Sequence, residues 1–135
     1  MRRYVIPGMV AALAALSVLG ATMTSGAATT PTNTVSIAMS HCAHNAEFCF
    51  SPATLTVKKG TKVVWKNATI TQHTVTRCTK PACGVSGGTG TDPKLASPIL
   101  NPKKTYAFTF RHVGTYVYFC KVHGYAVMHG LVTVK

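Results

Sequence analysis

Near its end the chain carries a thiol, an imidazole and a thioether within one short segment. Cys120, His123 and Met128 follow one another at the spacing C-x2-H-x4-M. A thiolate, an imidazole and a weak, distant thioether are three of the four ligands of a blue-copper electron-transfer centre, whose remaining ligand is a second imidazole. His73 is the candidate for that imidazole. The residue types therefore predict one copper site formed by His73, Cys120, His123 and Met128.

Each of these residues has a common structural explanation when it is taken alone. A methionine usually fills a core, a free cysteine is a small buried apolar group, and a histidine is a polar residue of the surface or core. The neighbouring segments favour a metal site. Residues 114–119 are rich in β-branched and aromatic types, and residues 130–134 alternate in period two, so both are predicted strands. A tight loop between two strands would hold the three side chains around one point.

The rest of the chain is a succession of short strand patterns separated by glycine and proline turn signals. No segment shows a sustained helical period. Strands are predicted at 34–39, 55–58, 62–67, 73–77, 105–110, 115–119 and 131–134. Many short strands separated by glycine and proline turns indicate an all-β protein built as a β-sandwich. Tyr116 and Tyr118 alternate along their strand, and we expect one of them to face inward and the other outward.

Two further motifs accompany the candidate ligands. Residues 50–67 read F-x-P-x-x-L-x-V-x-x-G-x-x-V-x-W-x-N, and the segment that ends at Cys120 reads G-T-Y-x-Y-x-C. Together with the C-x2-H-x4-M segment, these motifs resemble the cupredoxins, small blue-copper proteins of the plastocyanin and pseudoazurin type. The resemblance runs from about residue 34 to the end. It implies a Greek-key β-sandwich with His73 at the interval of the first copper ligand.

The resemblance also suggests roles for residues around the metal. It makes His123 the point where electrons leave, inside an apolar patch that Gly124, Tyr125 and Ala126 could form. Thr74 follows the first ligand where many relatives carry an asparagine that holds the ligand loop, so the means of holding that loop stays open. We expect an apolar shell that excludes water from the site, formed by Phe50, Phe110, Phe119 and Val127. Surface positions are expected for the other histidines, His41, His44, His112 and His129.

The first 28 residues have the form of a secretory signal peptide. Arg2 and Arg3 are followed by an apolar stretch over residues 9–21 and by small residues at 25–28. The apolar stretch is short for a membrane span, which needs about 20 residues, and an uncleaved anchor is the alternative. We therefore predict export to the periplasm or cell surface. Residues 29–135 would then form one cupredoxin domain with no membrane span.

The cysteine count agrees with export. If Cys120 is reserved for copper, an even four remain, Cys42, Cys49, Cys78 and Cys83. Cysteines of exported proteins usually pair, but the sequence leaves three pairings of four thiols open. Two local bridges, Cys42–Cys49 and Cys78–Cys83, are the simplest arrangement. A redox-active dithiol, or a second metal site that includes His41 and His44, is the functional alternative.

The charge of the chain bears on its partners. Glu47 and Asp92 are its acidic residues against 14 Lys and Arg, a formal net charge of +12 that falls to about +10 without the leader. Such a field steers association with acidic partners. We expect acidic redox proteins as partners, and peripheral association with an anionic surface is a further expectation. Nucleic acid is disfavoured by the predicted export and by the lack of a recognition motif.

Three classes of function compete at this point. The first is a monomeric electron carrier with one type 1 copper ion, which is not an enzyme. The second is a copper-binding protein for delivery or resistance, which Met39, His41 and His44 would suit. The third is a copper enzyme such as a multicopper oxidase, which needs further copper ligands from more than one domain. The chain offers one domain, and Phe119 rather than a histidine precedes Cys120, so the sequence favours the first class.

Overall fold

The structure is a computed structural model that describes residues 32–39, 42 and 46–135. The predicted leader, His41 and His44 lie outside these residues. The described part contains eight strands and one helical turn: β1 (Thr32–Ala38), β2 (Cys49–Ser51), β3 (Thr54–Val57), β4 (Lys62–Asn67), β5 (Thr76–Arg77), α1 (Lys80–Cys83), β6 (Thr105–Thr109), β7 (Gly114–Phe119) and β8 (His129–Val134). Within this part of the chain, no helix has the length and apolar character that crossing a membrane requires.

Two four-stranded sheets form the architecture. The first has the order β2-β1-β4-β6 and the second has the order β3-β8-β7-β5. Each sheet is mixed, because β1 pairs parallel with β4 and β3 pairs parallel with β8, whereas the other pairs are antiparallel. The chain passes repeatedly from one sheet to the other. The predicted all-β Greek-key β-sandwich is confirmed.

The predicted strands all have counterparts, with one of them much shortened. The strand expected at residues 73–77 is regular only at β5, and single bridges join His73 to Leu100 and Thr76 to Ala96. The sequence pattern missed β2 and the turn α1, which are only three and four residues long. Such short elements carry too few residues to show a period.

The core lies between the sheets and is rich in aromatic rings. Alternate residues of β4 are buried, including Val63 and Trp65. The Trp65 ring meets the Tyr118 ring edge to face, with 5.4 Å between their centroids. Tyr116 and Tyr118 are both fully buried, so the expectation that one of them faces outward is wrong. Residues two apart on a strand share a face, and this face of β7 is the core face.

Asp92 fixes the end of the sandwich where β7 begins. Its carboxylate accepts hydrogen bonds from the Tyr116 hydroxyl at 2.6 Å, from the backbone N–H groups of Arg111 and His112 at 2.9 and 3.0 Å, and from His112 Nδ1 at 2.8 Å. Burial acts to raise the pKa of Asp92, but these hydrogen bonds outweigh it and lower that pKa below the usual 3.8. One of the two acidic residues of the chain is thus engaged inside the protein.

Both predicted disulfides are present. Cys42 is bonded to Cys49, and Cys78 is bonded to Cys83. Cys120 remains a free, buried thiol. The first bridge joins Cys42, four residues beyond the end of β1, to the first residue of β2, and the second closes the turn α1.

The two buried tyrosines of β7 lead to a paired stability prediction. Tyr116→Phe removes a hydrogen bond to a charged, buried carboxylate, and we expect it to lower the free energy of unfolding by about 1.5–3 kcal/mol. Tyr118→Phe is the matched control, because the Tyr118 hydroxyl meets no charged group: its polar neighbour is the Trp65 indole, and their contact is not a well-formed hydrogen bond. That variant should change the free energy by less than about 0.5 kcal/mol, or raise it. Urea titration of the metal-free proteins measures both values. Equal losses would contradict the assignment.

Candidate metal centre

The loop between β7 and β8 is closed by its own backbone. Cys120 N–H donates to the Met128 carbonyl at 3.0 Å, Gly124 N–H donates to the Cys120 carbonyl at 2.9 Å, and Met128 N–H donates to the Gly124 carbonyl at 3.0 Å. Gly124 has φ +80°, a conformation that suits glycine because it lacks a Cβ atom. These bonds hold Cys120, His123 and Met128 on one compact turn.

His73 arrives from the other side of the site, on the segment between β4 and β5. Its backbone N–H donates to the Leu100 carbonyl at 3.1 Å, and its carbonyl accepts from Leu100 N–H at 2.8 Å. This pair of hydrogen bonds anchors the ligand segment to residues that precede β6. The anchoring is non-local, since Leu100 lies 27 positions further along the chain.

Thr74 ties this segment to the ligand loop and settles the question left open by the sequence. Its hydroxyl accepts a hydrogen bond from Lys121 N–H at 2.8 Å. Its backbone N–H donates to the Cys120 sulfur at 3.4 Å. Thr74 thus holds the loop against the His73 segment through its side chain and its backbone.

Three of the four predicted ligands meet at one point. Cys120 Sγ lies 3.8 Å from His73 Nδ1 and 3.5 Å from His123 Nδ1, and the three atoms lie within 4.8 Å of one another. Metal–sulfur and metal–nitrogen bonds of about 2.3 and 2.0 Å, at angles of about 110–125°, place sulfur and nitrogen about 3.5–3.8 Å apart. The donor atoms therefore have the spacing of ligands that share one ion. Met128 is buried in the same closed loop, where its carbonyl accepts the Cys120 N–H.

The site is buried on one side and accessible on the other. His73 and Cys120 have no exposed surface, whereas His123 is half-buried. Burial, and secondarily the charge of His123, lower the pKa of His73 from 6.5 to about 4. The buried imidazole is therefore neutral at neutral pH, and neutral imidazole is the form that binds a metal.

Phe48 is the residue of the site that the sequence reasoning missed. Its ring lies 5.0 Å from the His73 ring and 4.5 Å from the His123 ring, measured between centroids, and its side chain is buried. The neighbouring residue, Cys49, is held by a disulfide. A clue was present in the run Phe48-Cys49-Phe50, where an aromatic residue flanks each side of a bridged cysteine.

The predicted apolar shell is wrong for two of its four members, Phe110 and Val127. Phe50 and Phe119 are buried. Val127 is 47% exposed, because it lies on the outer side of the loop. Phe110 is buried but packs against Tyr116 at 4.7 Å, on the core side where β7 begins. Periodicity identified these residues as apolar and could not tell which end of the sandwich each one occupies.

The described histidines outside the cluster lie at the surface, as predicted. His129 stacks on the Tyr125 ring at 4.4 Å, and its Nδ1 lies 2.8 Å from the Tyr125 carbonyl oxygen. His112 is paired with Asp92. Neither belongs to the cluster of ligand atoms.

Three exposed apolar residues lie close in sequence to the predicted ligands. Val122 directly precedes His123 and is 52% exposed, and Val127 precedes Met128. Ile70 is 81% exposed and lies in the segment that leads to His73. Of the patch residues proposed from sequence, Ala126 is exposed, and Gly124 and Tyr125 are half-buried.

Comparison with known proteins agrees with this geometry. The model of the family of copper binding proteins described as the plastocyanin/azurin family matches residues 37–135. The chain is 31% identical to plastocyanin of Scenedesmus fuscus over 94 residues, which cover 69% of this chain and 93% of that protein. It is 33% identical to chloroplastic plastocyanin of Tetradesmus obliquus over 94 residues, which cover 69% of this chain and 63% of that protein.

Solved structures share the architecture. The reduced Cu(I) form of an amicyanin variant at pH 4 matches with a TM-score of 0.55 and 28% identity, over 82% of this chain and 87% of that chain. A purple cupredoxin from Nitrosopumilus maritimus matches with a TM-score of 0.57 over 76% of this chain and 98% of that chain. Its identity of 23% supports the fold alone.

The buried His73 predicts a pH-dependent stability of the metal-free protein. As the pH falls from 6.5 toward 4, the unfolded chain gains a proton on His73 that the folded protein does not accept. The contribution of His73 is therefore fully present above pH 6.5 and is lost as the pH approaches 4, by roughly 2 kcal/mol. Urea titrations at pH 7 and pH 4.5 measure the loss.

His73→Gln should flatten this pH dependence, whereas the exposed-site control His129→Gln should leave it unchanged. Asp92 does not interfere in this window, because its pKa lies below 3.8. An equally steep decline in His73→Gln would contradict the assignment.

Proposed function

The chain belongs to the plastocyanin/azurin family of copper-binding proteins, and from this premise we propose that it is an exported carrier of single electrons between redox proteins. Its cofactor is copper. The observation that carries the proposal is the cluster of Cys120 Sγ, His73 Nδ1 and His123 Nδ1. A thiolate with two imidazoles is the ligand set of electron-transfer copper. The proposed activity is electron carriage and not catalysis.

We assign four residues to the metal. His73, Cys120 and His123 are the strong ligands, and the buried Met128 is the weak fourth ligand. Bound copper supplies one-electron chemistry by alternating between Cu(I) and Cu(II). The chain contributes a site that is already assembled, because backbone hydrogen bonds close the ligand loop and Thr74 joins it to the His73 segment. A site fixed in this way reorganises little when one electron is gained or lost.

His123 is the proposed point of electron exit. Of the three clustered residues it is the one with exposed surface, since His73 and Cys120 are fully buried. Exposed Val122 and Val127 lie next to it in the loop. Apolar surface of this kind marks docking sites, and redox encounters use small interfaces.

Charge supports an acidic partner. The Asp92 carboxylate is occupied by internal hydrogen bonds, which leaves Glu47 as the exposed acidic residue of the described part. The lysines there are exposed, among them Lys62, Lys66 and Lys121. The basic surface would attract acidic redox proteins and, more weakly, an anionic surface. The same net charge favours a monomer, because copies of the chain repel each other.

The predicted location completes the proposal. Residues 1–28 would direct export and be removed, and residues 29–135 would be the working protein outside the cytoplasm, in the periplasm or at the cell surface. Copper delivery or resistance is the weaker alternative. Its extra ligands would be His41 and His44, which lie outside the described residues, and Met39, which is 46% exposed at the end of β1.

The metal assignment is tested by removing the thiolate. Copper-loaded protein should be intensely blue or green, because the Cu(II)–sulfur bond absorbs visible light. Cys120→Ser should lose this absorption completely and keep the sandwich, which far-ultraviolet circular dichroism checks. Retention of the visible band in Cys120→Ser would refute the proposed site.

Met128→Leu is the variant matched to Cys120→Ser, because Met128 is also buried in this loop. The substitution changes the side-chain volume little. It should keep copper and colour and raise the reduction potential, because the lost weak donor had favoured Cu(II). If voltammetry gives Met128→Leu the same reduction potential as the wild type, Met128 is not a copper ligand.

The docking surface is tested by separating apolar contact from charge. Val122→Asn changes no charge and should slow electron transfer to an acidic cytochrome roughly three- to tenfold, as expected when about 1 kcal/mol of apolar contact is lost. Val113→Asn is the control, because Val113 is 60% exposed and lies before β7, about 20 Å from Cys120. Its rate should equal that of the wild type.

Varying the ionic strength in the same stopped-flow experiment tests the electrostatic attraction between the basic surface and an acidic partner. The rate should fall as salt shortens the screening length to about 8 Å at physiological concentration, and it should fall equally in both variants. Electron-transfer rates that do not change with salt concentration would contradict the proposal of an acidic partner. Equal rates for Val122→Asn and Val113→Asn would move the docking surface elsewhere.

A further inference from the structure

The outer nitrogen of His73 faces hydroxyl groups. His73 Nε2 lies 2.8 Å from Thr69 Oγ1 and 3.1 Å from Thr71 Oγ1. His73 and Asn67 have no exposed surface and Thr69 is 4% exposed, so solvent does not complete this arrangement. On the opposite side of the ring, Nδ1 faces the Cys120 sulfur.

Asn67 fixes the direction of these hydrogen bonds. Its Nδ2 lies 2.7 Å from the Thr71 carbonyl oxygen and 2.8 Å from the Leu100 carbonyl oxygen. Both oxygens can only accept, so the amide nitrogen must point toward them. Asn67 Oδ1 therefore points toward Thr69, where it accepts from the backbone N–H at 3.0 Å and lies 2.8 Å from the hydroxyl oxygen.

The Thr69 hydroxyl can then act toward His73 only as a hydrogen-bond acceptor. It has a single proton and two lone pairs. Its proton goes to an oxygen that can only accept, Asn67 Oδ1 at 2.8 Å, with the Thr71 carbonyl oxygen as a more distant acceptor at 3.3 Å. One lone pair receives Thr71 N–H at 3.2 Å. The remaining lone pair faces His73 Nε2. The nitrogen must therefore carry the proton and donate it to Thr69.

We infer that Thr69, oriented by Asn67, is a positioning residue that holds His73 with Nε2 protonated and with the bare Nδ1 lone pair turned toward Cys120. The first ligand is thereby preset before a metal binds. A hydrogen bond from the outer nitrogen of a ligating imidazole also makes that imidazole a stronger donor. The inference rests on the proposed role of His73 as a ligand.

The test begins with the metal-free protein, so it does not depend on electron transfer. Nitrogen-15 NMR should show His73 protonated at Nε2, with a proton that exchanges slowly with solvent. Thr69→Val removes the hydroxyl at nearly constant volume and should accelerate this exchange at least tenfold. Thr69→Ser keeps the hydroxyl and should restore slow exchange.

The second arm uses the copper-loaded protein. Thr69→Val should raise the reduction potential, because a weaker imidazole donor disfavours Cu(II), and Thr69→Ser should return it toward the wild-type value. Thr71→Val is the matched control, and it should have the smaller effect because its hydroxyl lies further from Nε2. Thr69→Ala is measured in parallel, so the result does not depend on one variant folding.

Three outcomes would overturn the inference. They are slow exchange and an unchanged potential in both Thr69→Val and Thr69→Ala, failure of Thr69→Ser to restore either property, or a larger effect from Thr71→Val. Absence of the visible band in the wild type would instead refute the proposed function, and the NMR result would stand independently.

Discussion

The site depends on the sharing of one buried sulfur by two segments that are far apart in sequence. The Cys120 sulfur accepts the Thr74 N–H and lies within 4 Å of an imidazole on each side. Burial of such a sulfur together with His73 is unfavourable unless their polar atoms are satisfied. The Thr74 N–H meets this requirement at the Cys120 sulfur, and the Thr69 hydroxyl meets it at His73 Nε2. The distance between the segments is set in turn by the packing of the sheets, in which Trp65 meets Tyr118 at the core.

Each end of β7 carries one of the buried polar groups of the fold. At its beginning, Tyr116 and the backbone after β6 surround the Asp92 carboxylate. At its end, Cys120 enters the metal site. Anchoring the first end through an internal carboxylate has a consequence at the surface, because it removes one of two acidic groups from the exterior. The Asp92 carboxylate still counts in the net charge, but Glu47 is left as the exposed acidic residue of the described part, on a basic surface that would steer acidic partners.

Local features of the sequence predicted the local parts of the structure well. The C-x2-H-x4-M spacing lies within one loop. In strands such as β4 and β8 the alternation of apolar and polar residues indicates which face is buried. Phe48 and Thr69 were missed because their contacts with His73 depend on how distant segments meet. The burial of both Tyr116 and Tyr118 follows from strand geometry, and the sequence interpretation applied that geometry wrongly. No pattern distinguishes the exposed Val127 from a core valine, since the loop has no period.

Two of the threonines near His73, Thr69 and Thr74, would act on the proposed ligands in opposite directions. In the proposed site the Thr74 N–H would draw electron density from the thiolate, whereas Thr69 would accept a hydrogen bond from His73 Nε2 and leave the imidazole richer in electron density. Thiolate and imidazole both stabilise Cu(II), so the first contact would raise the reduction potential of the proposed site and the second would lower it. Both effects originate in residues 69–74, outside the C-x2-H-x4-M segment. Two chains with the same four ligands can therefore differ in potential through this segment alone.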